Sequence, residues 1–140
     1  MSDLRICKPG KKTGFAGILT VPIYHARIQF YPTIEDAEKD ITGVRDLNGG
    51  SFGAVTFMAG NEGNQWLNIV FRDEKHITPE IIAHEATHAA WDVLKLAGVK
   101  VTYANHEQLA YLIGYIVEQL HKFADAYYKF ARDKEQKDGQ

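Results

Sequence analysis

The 140-residue sequence contains one cysteine, Cys7. A single thiol cannot close a disulfide within the chain, and it excludes Cys₄ and Cys₂His₂ zinc sites, a CxxC redox motif and a disulfide-framed secreted scaffold. An excess of one charge is also missing, because sixteen Lys and Arg stand against eighteen Asp and Glu for a net charge of −2. The overall balance therefore points to neither a nucleic-acid backbone nor an anionic membrane as partner. No apolar run approaches the roughly 20 residues that cross a bilayer, and Met1–Gly10 lacks the apolar stretch of a secretory signal. These absences predict a cytoplasmic protein with no nucleic acid and no membrane among its partners. They say nothing of its oligomeric state.

What is present suits one domain. Hydrophobic residues make up 45% of the chain, enough for an ordinary core at this length. The reading is a single domain over residues 1–133, followed by a disordered charged tail over 134–140. The first third is turn-rich, with Pro9-Gly10, Gly14, Gly17 and Pro22 ahead of a strand from Ile23 to Tyr31. Thr33 caps a short helix through about Lys39, and Asn48-Gly49-Gly50 breaks the chain. Two further strands, 52–59 and 65–72, flank a hairpin loop and are expected to pair antiparallel. From Thr78 the apolar period changes from two to about 3.6. Thr78 as cap and Pro79 at the first helical position open a helix that reads as buried all round and stops at Gly98. A second long helix opens at Asn105, with Gln108 in capping-box register, and continues to about Arg132. The fold class expected is α+β: a small antiparallel or mixed sheet packed on the first long helix, with the second beside it.

Inside the first long helix lies His84-Glu85-Ala86-Thr87-His88. Four residues turn a helix by about 400°, so both imidazoles leave one face roughly 6 Å apart along the axis. At that spacing two nitrogens can share one tetrahedral zinc at about 2.0–2.1 Å each. Glu85 projects about 100° away from His84, where it can hold a water beside the metal and act as general base. With six His and nine Glu in the chain, a shuffled sequence shows this motif with a probability of roughly 2%, so its place in a long helix preceded by strands matters.

A catalytic zinc needs a third protein ligand and an open position. Glu107 and Glu118 are the downstream carboxylates to weigh. Glu107 reaches the metal if residues 98–104 run back along the helix, which about 23 Å of extended chain permits. A simple antiparallel helical hairpin would instead present Glu118, which lies about 16 Å further along the second helix. Spacing leaves the two open. Tyr111, four residues after Glu107, is a candidate to orient that carboxylate or to stabilise an oxyanion, with Tyr103, His106 and His121 as alternatives. Asp92, four after His88, is placed to accept a hydrogen bond from a ligating imidazole.

HExxH followed by eighteen residues and a glutamate resembles the gluzincin pattern of thermolysin-like and aminopeptidase-type zinc metallopeptidases. The stretch Asn105–Leu112 is similar to the segment carrying the third ligand in small intracellular metallopeptidase-like domains, and His84–Ile116 is similar to uncharacterised phage and prophage metallopeptidase-like proteins. The resemblance implies a zincin-like fold, zinc as cofactor, His84, His88 and Glu107 as ligands, Glu85 as base, and a peptide or protein as substrate. The absence of a third histidine in metzincin register argues against that branch. Strand 65–72 reads either as the strand that borders a substrate cleft or as a core strand. The function expected is a zinc peptidase, and the alternative is a zinc-stabilised, non-catalytic binding or inhibitor module.

Overall fold

The computed structural model describes residues 3–41, 52–61 and 64–138. The chain is α+β, with a mixed five-stranded sheet of order β1-β2-β3-β5-β4. The strands are β1 (Leu4–Cys7), β2 (Ala16–Val21), β3 (Ala26–Tyr31), β4 (Ala54–Asn61) and β5 (Asn64–Phe71). All neighbours pair antiparallel except β3 and β5, which run parallel with Ile28 opposite Leu67. Helix α1 (Ile34–Asp40) follows β3, and α2 (Pro79–Leu96) and α3 (His106–Asp138) follow β5. No helix among the described residues is long and apolar enough to cross a membrane.

The turn-rich first third holds two strands that its punctuation hid. The expected strand from Ile23 begins only at Ala26, because residues 22–25 make the β2–β3 turn. There Ile23 and His25 take φ of 72° and 54°, and Tyr24 N–H donates to the Pro22 carbonyl at 2.8 Å. The expected hairpin is present as β4 and β5, paired from Ala54 opposite Phe71 to Asn61 opposite Asn64. The Asn48-Gly49-Gly50 break lies outside the described residues.

β5 carries the run Leu67–Phe71, buried at every position, as a strand covered on both faces requires. It lies between β3 and β4, so 65–72 is a central strand with no free edge to which an extended chain could add. Among the described residues the sheet edges are β1 and β4.

One face of the sheet, with Leu19, Ile28, Phe30, Leu67, Ile69 and Phe71, packs on α2 and α3. The other face packs Tyr31 and Val70 with Ile34 and Ala37 of α1. Thr33 caps α1 as expected, its side chain accepting from the Asp36 N–H. Phe15 ties the sheet to α3 through the rings of Phe123, Tyr127 and Phe130, 5.1–5.8 Å away. β2 can come this close to α3 because residue 17 is glycine. A Cβ there would meet Phe123 at 2.7 Å.

α2 and α3 form an antiparallel pair. Thr78 caps α2 by accepting from the Ile81 N–H at 3.2 Å. The far end closes at Gly98, φ 77°, where Gly98 N–H donates to the Lys95 carbonyl and Val99 N–H to the Leu94 carbonyl. This is the paired-bond helix stop that glycine favours. α2 is not buried all round, contrary to its composition. Ile82, Ala86, Ala89, Ala90, Val93 and Leu94 face the core, while His84, His88, Trp91 and Leu96 are exposed. Alanines supply much of its apolar count, and one flank of the helix faces solvent. α3 continues past the expected stop at Arg132 to Asp138, because residues 133–138 contain neither glycine nor proline and favour helix. Residues 134–138, expected in a disordered tail, are thus helical.

Candidate metal centre

Helical geometry alone sets the first two side chains. His84 and His88 bring their Nε2 atoms to 3.2 Å, with ring centroids 4.8 Å apart and planes at 72°. Two nitrogens bound at 2.0–2.1 Å to one tetrahedral ion lie about 3.3–3.4 Å apart, so the pair already fits zinc. Without a cation, one ring donates and the other accepts, which demands opposite tautomers. A metal takes a lone pair from both. The His84 side chain is 67% exposed, which leaves the convergence point open to solvent.

Glu85 is the opposite case. It is 4% exposed, on the flank of α2 that meets β4. The Thr56 hydroxyl of that strand donates to Oε1 at 2.9 Å. Its other oxygen, Oε2, stands 3.8 Å from His84 Nε2. That gap is too long for a good direct hydrogen bond and leaves room for a bridging water. A buried carboxylate with one oxygen braced and the other facing the imidazoles is arranged to take a proton beside a metal.

No protein-family model, curated protein or solved structure matches this chain. The site therefore rests on its own geometry.

Glu107 is not brought to the imidazoles. The connection it needed would run back along α2, but residues 97–105 curl on themselves. The Asn105 carboxamide accepts from the Thr102 N–H at 2.6 Å and donates to the Lys100 carbonyl at 2.8 Å. The side chain expected to cap α3 knits the loop instead. At the other end of the pair, the Tyr128 hydroxyl donates to the Ile77 carbonyl at 3.2 Å, so Ile77 and Tyr128 are level. His84 and His88 come seven and eleven residues later, and equal counts back along α3 reach His121 and Val117, with Glu118 between them. Glu107 is level with Gly98, about 15 Å beyond His88 at 1.5 Å per residue.

Glu118 is exposed and pairs with Lys122 at 3.2 Å, a surface contact that costs little to release. Among the described residues, no three His, Cys, Asp or Glu side chains gather closely enough to hold an ion. Tyr111 is 75% exposed, and neither hydrogen bond nor ring contact joins it to the imidazoles. No hydrogen bond joins the partly buried Asp92 to them either. Tyr103 packs edge-on against His106, centroids 5.4 Å apart, near the level of Glu107. Thr56, the brace of Glu85, is the residue that motif reading missed. A threonine on a strand carries no such signal until the strand is known to lie beside the helix.

Proposed function

We propose that the protein is a zinc-dependent peptidase of zincin-like architecture. His84 and His88 are its metal ligands, Glu118 is the third, and Glu85 is the general base. The observation that carries this reading is the 3.2 Å approach of the two Nε2 atoms beside a buried carboxylate held by Thr56. Helix level supports Glu118 over Glu107, since counting back from the Ile77–Tyr128 contact places Glu118 between the levels of His84 and His88. Zinc in this place would supply Lewis acidity toward a peptide carbonyl and bring the pKa of water to about 7.

Glu85 Oε2 takes the proton of the attacking water and passes it to the leaving amine, while Oε1 stays hydrogen-bonded to Thr56. The brace keeps the base from rotating out of reach. His84 and His88 each need the proton on Nδ1 to present Nε2, and their exposed ring edges can give it to water.

Elemental analysis and a peptide-library assay on wild type and Glu85→Gln test the reading. Wild type should carry one zinc per chain and cleave peptides. Glu85→Gln should keep the zinc and lose about 10²–10⁴-fold in turnover. Equal turnover by both proteins removes Glu85 as base. The exposed position of Tyr111, away from the imidazoles, favours as second reading a zinc-stabilised binding module. In that case Glu85→Gln changes neither zinc content nor partner binding, and metal removal melts the fold.

A further inference from the structure

The exposed side of α2 does not end at the imidazoles. At 100° per residue, His84, His88, Trp91 and Lys95 fall within a sector of about 60°, opposite the core residues Ala86, Ala89 and Val93. Trp91 is 48% exposed, a large apolar surface one turn past His88. It opens onto a cavity of about 460 Å³ shared with Asp92, Lys95, Val99, Lys100 and Val101. Val99 and Val101 pack onto the core and give the cavity an apolar side. Two ammoniums stand there against the single carboxylate of Asp92, so the cavity favours an anion. Helical side chains lean toward the N-terminus, so Lys95 covers the turn that Trp91 occupies and its charge lies back toward His88.

We propose that this cavity seats the carboxyl-terminal residue of a peptide. Its apolar side chain lies against Trp91, Val99 and Val101, and its terminal carboxylate lies between Lys95 and Lys100. The inference rests on the metallopeptidase reading and narrows it to a carboxypeptidase. An apolar residue one turn from the imidazoles, with an anion just beyond, matches a substrate whose last peptide bond lies at the metal site. Hydrolysis then breaks that C–N bond. The water oxygen joins the acyl carbon, and the proton accepted by Glu85 goes to the nitrogen of the released amino acid.

The test is fluorescence anisotropy on zinc-supplemented Glu85→Gln protein, using a fluorescein-labelled hexapeptide that ends in Phe as the free acid. The same peptide as its terminal amide and a version ending in Gly are the comparators. The free acid should bind about fivefold tighter than the amide, the scale of two exposed ion pairs. Lys95→Gln with Lys100→Gln should bring that ratio to one, and Trp91→Ala should remove the preference for Phe over Gly. All three side chains are exposed, and circular dichroism verifies the fold of each variant. Equal binding of acid and amide, or a ratio that survives the double lysine change, overturns the inference. Zinc content is measured on the same samples. Zinc without acid preference defeats only the carboxyl-terminal seat, whereas no zinc defeats the parent reading and the acid-to-amide ratio still decides the seat.

Discussion

The stretch of α2 around Glu85 and the start of α3 around Glu107 carry the same kinds of side chain to different ends. On α2 the spacing of one helix holds two imidazoles 3.2 Å apart and lays a glutamate against Thr56. On α3, Glu107 and Tyr111 are just as regularly spaced, yet they face solvent, with Glu107 about 15 Å along the helix pair from His88. Spacing within an element is fixed by backbone geometry. Placement between elements is fixed by the connection, and here nine residues tied by Asn105 make a tight corner.

The strongest way to break this contrast is to compare Glu118→Gln with Glu107→Gln by zinc titration. Loss of a ligand should weaken zinc binding by roughly a hundredfold in Glu118→Gln. Glu107→Gln should change it by less than about twofold, because screening removes a charge effect beyond some 10 Å. The reverse order would mean that the corner reopens when metal binds. Thr56→Val sharpens the α2 side. With Oε1 unbraced, turnover should fall by about tenfold at unchanged zinc content, and stability should drop by about 1–3 kcal/mol as a buried acceptor loses its donor. Thr56→Ser should restore both, read by peptide assay and denaturant melts.

The smallest effect concerns the approach to α2. His76 Nδ1 bonds the Asp73 carboxylate at 2.6 Å and, as the largest cause, holds that acid below its ordinary value. A lowered acid stabilises the fold fully above its unfolded-state pKa, and the contribution is lost as pH falls through the lower folded value. Acid unfolding followed by circular dichroism should show a slight loss in that window, absent in Asp73→Asn. The exposure of both groups keeps it small.

The same division explains how much could be read beforehand. Thr33, Thr78 and Gly98 act within a turn of themselves, and each performs the capping or stopping that its type predicts. The α+β class and the β4–β5 hairpin were legible because alternation and helical period are local. β1 and β2 were hidden, since Leu4–Cys7 is short and Gly17 sits in β2 for the sake of Phe123, far away in sequence. The histidine pair with Glu85 was legible for the reason already given. The distance of Glu107 from the imidazoles and the Thr56 brace were not, because each depends on which strand or helix level lies opposite α2. Alanine also misled: it raised the apolar count of α2 without burying its solvent side.

α3 spans 33 residues, about 50 Å of rod at 1.5 Å per residue. Its last turn lies about 30 Å from the level of Glu118. A fluorophore, a surface tether or an affinity handle fixed near Asp138 would therefore report on or immobilise the protein from a distance that leaves the histidines and Trp91 unhindered.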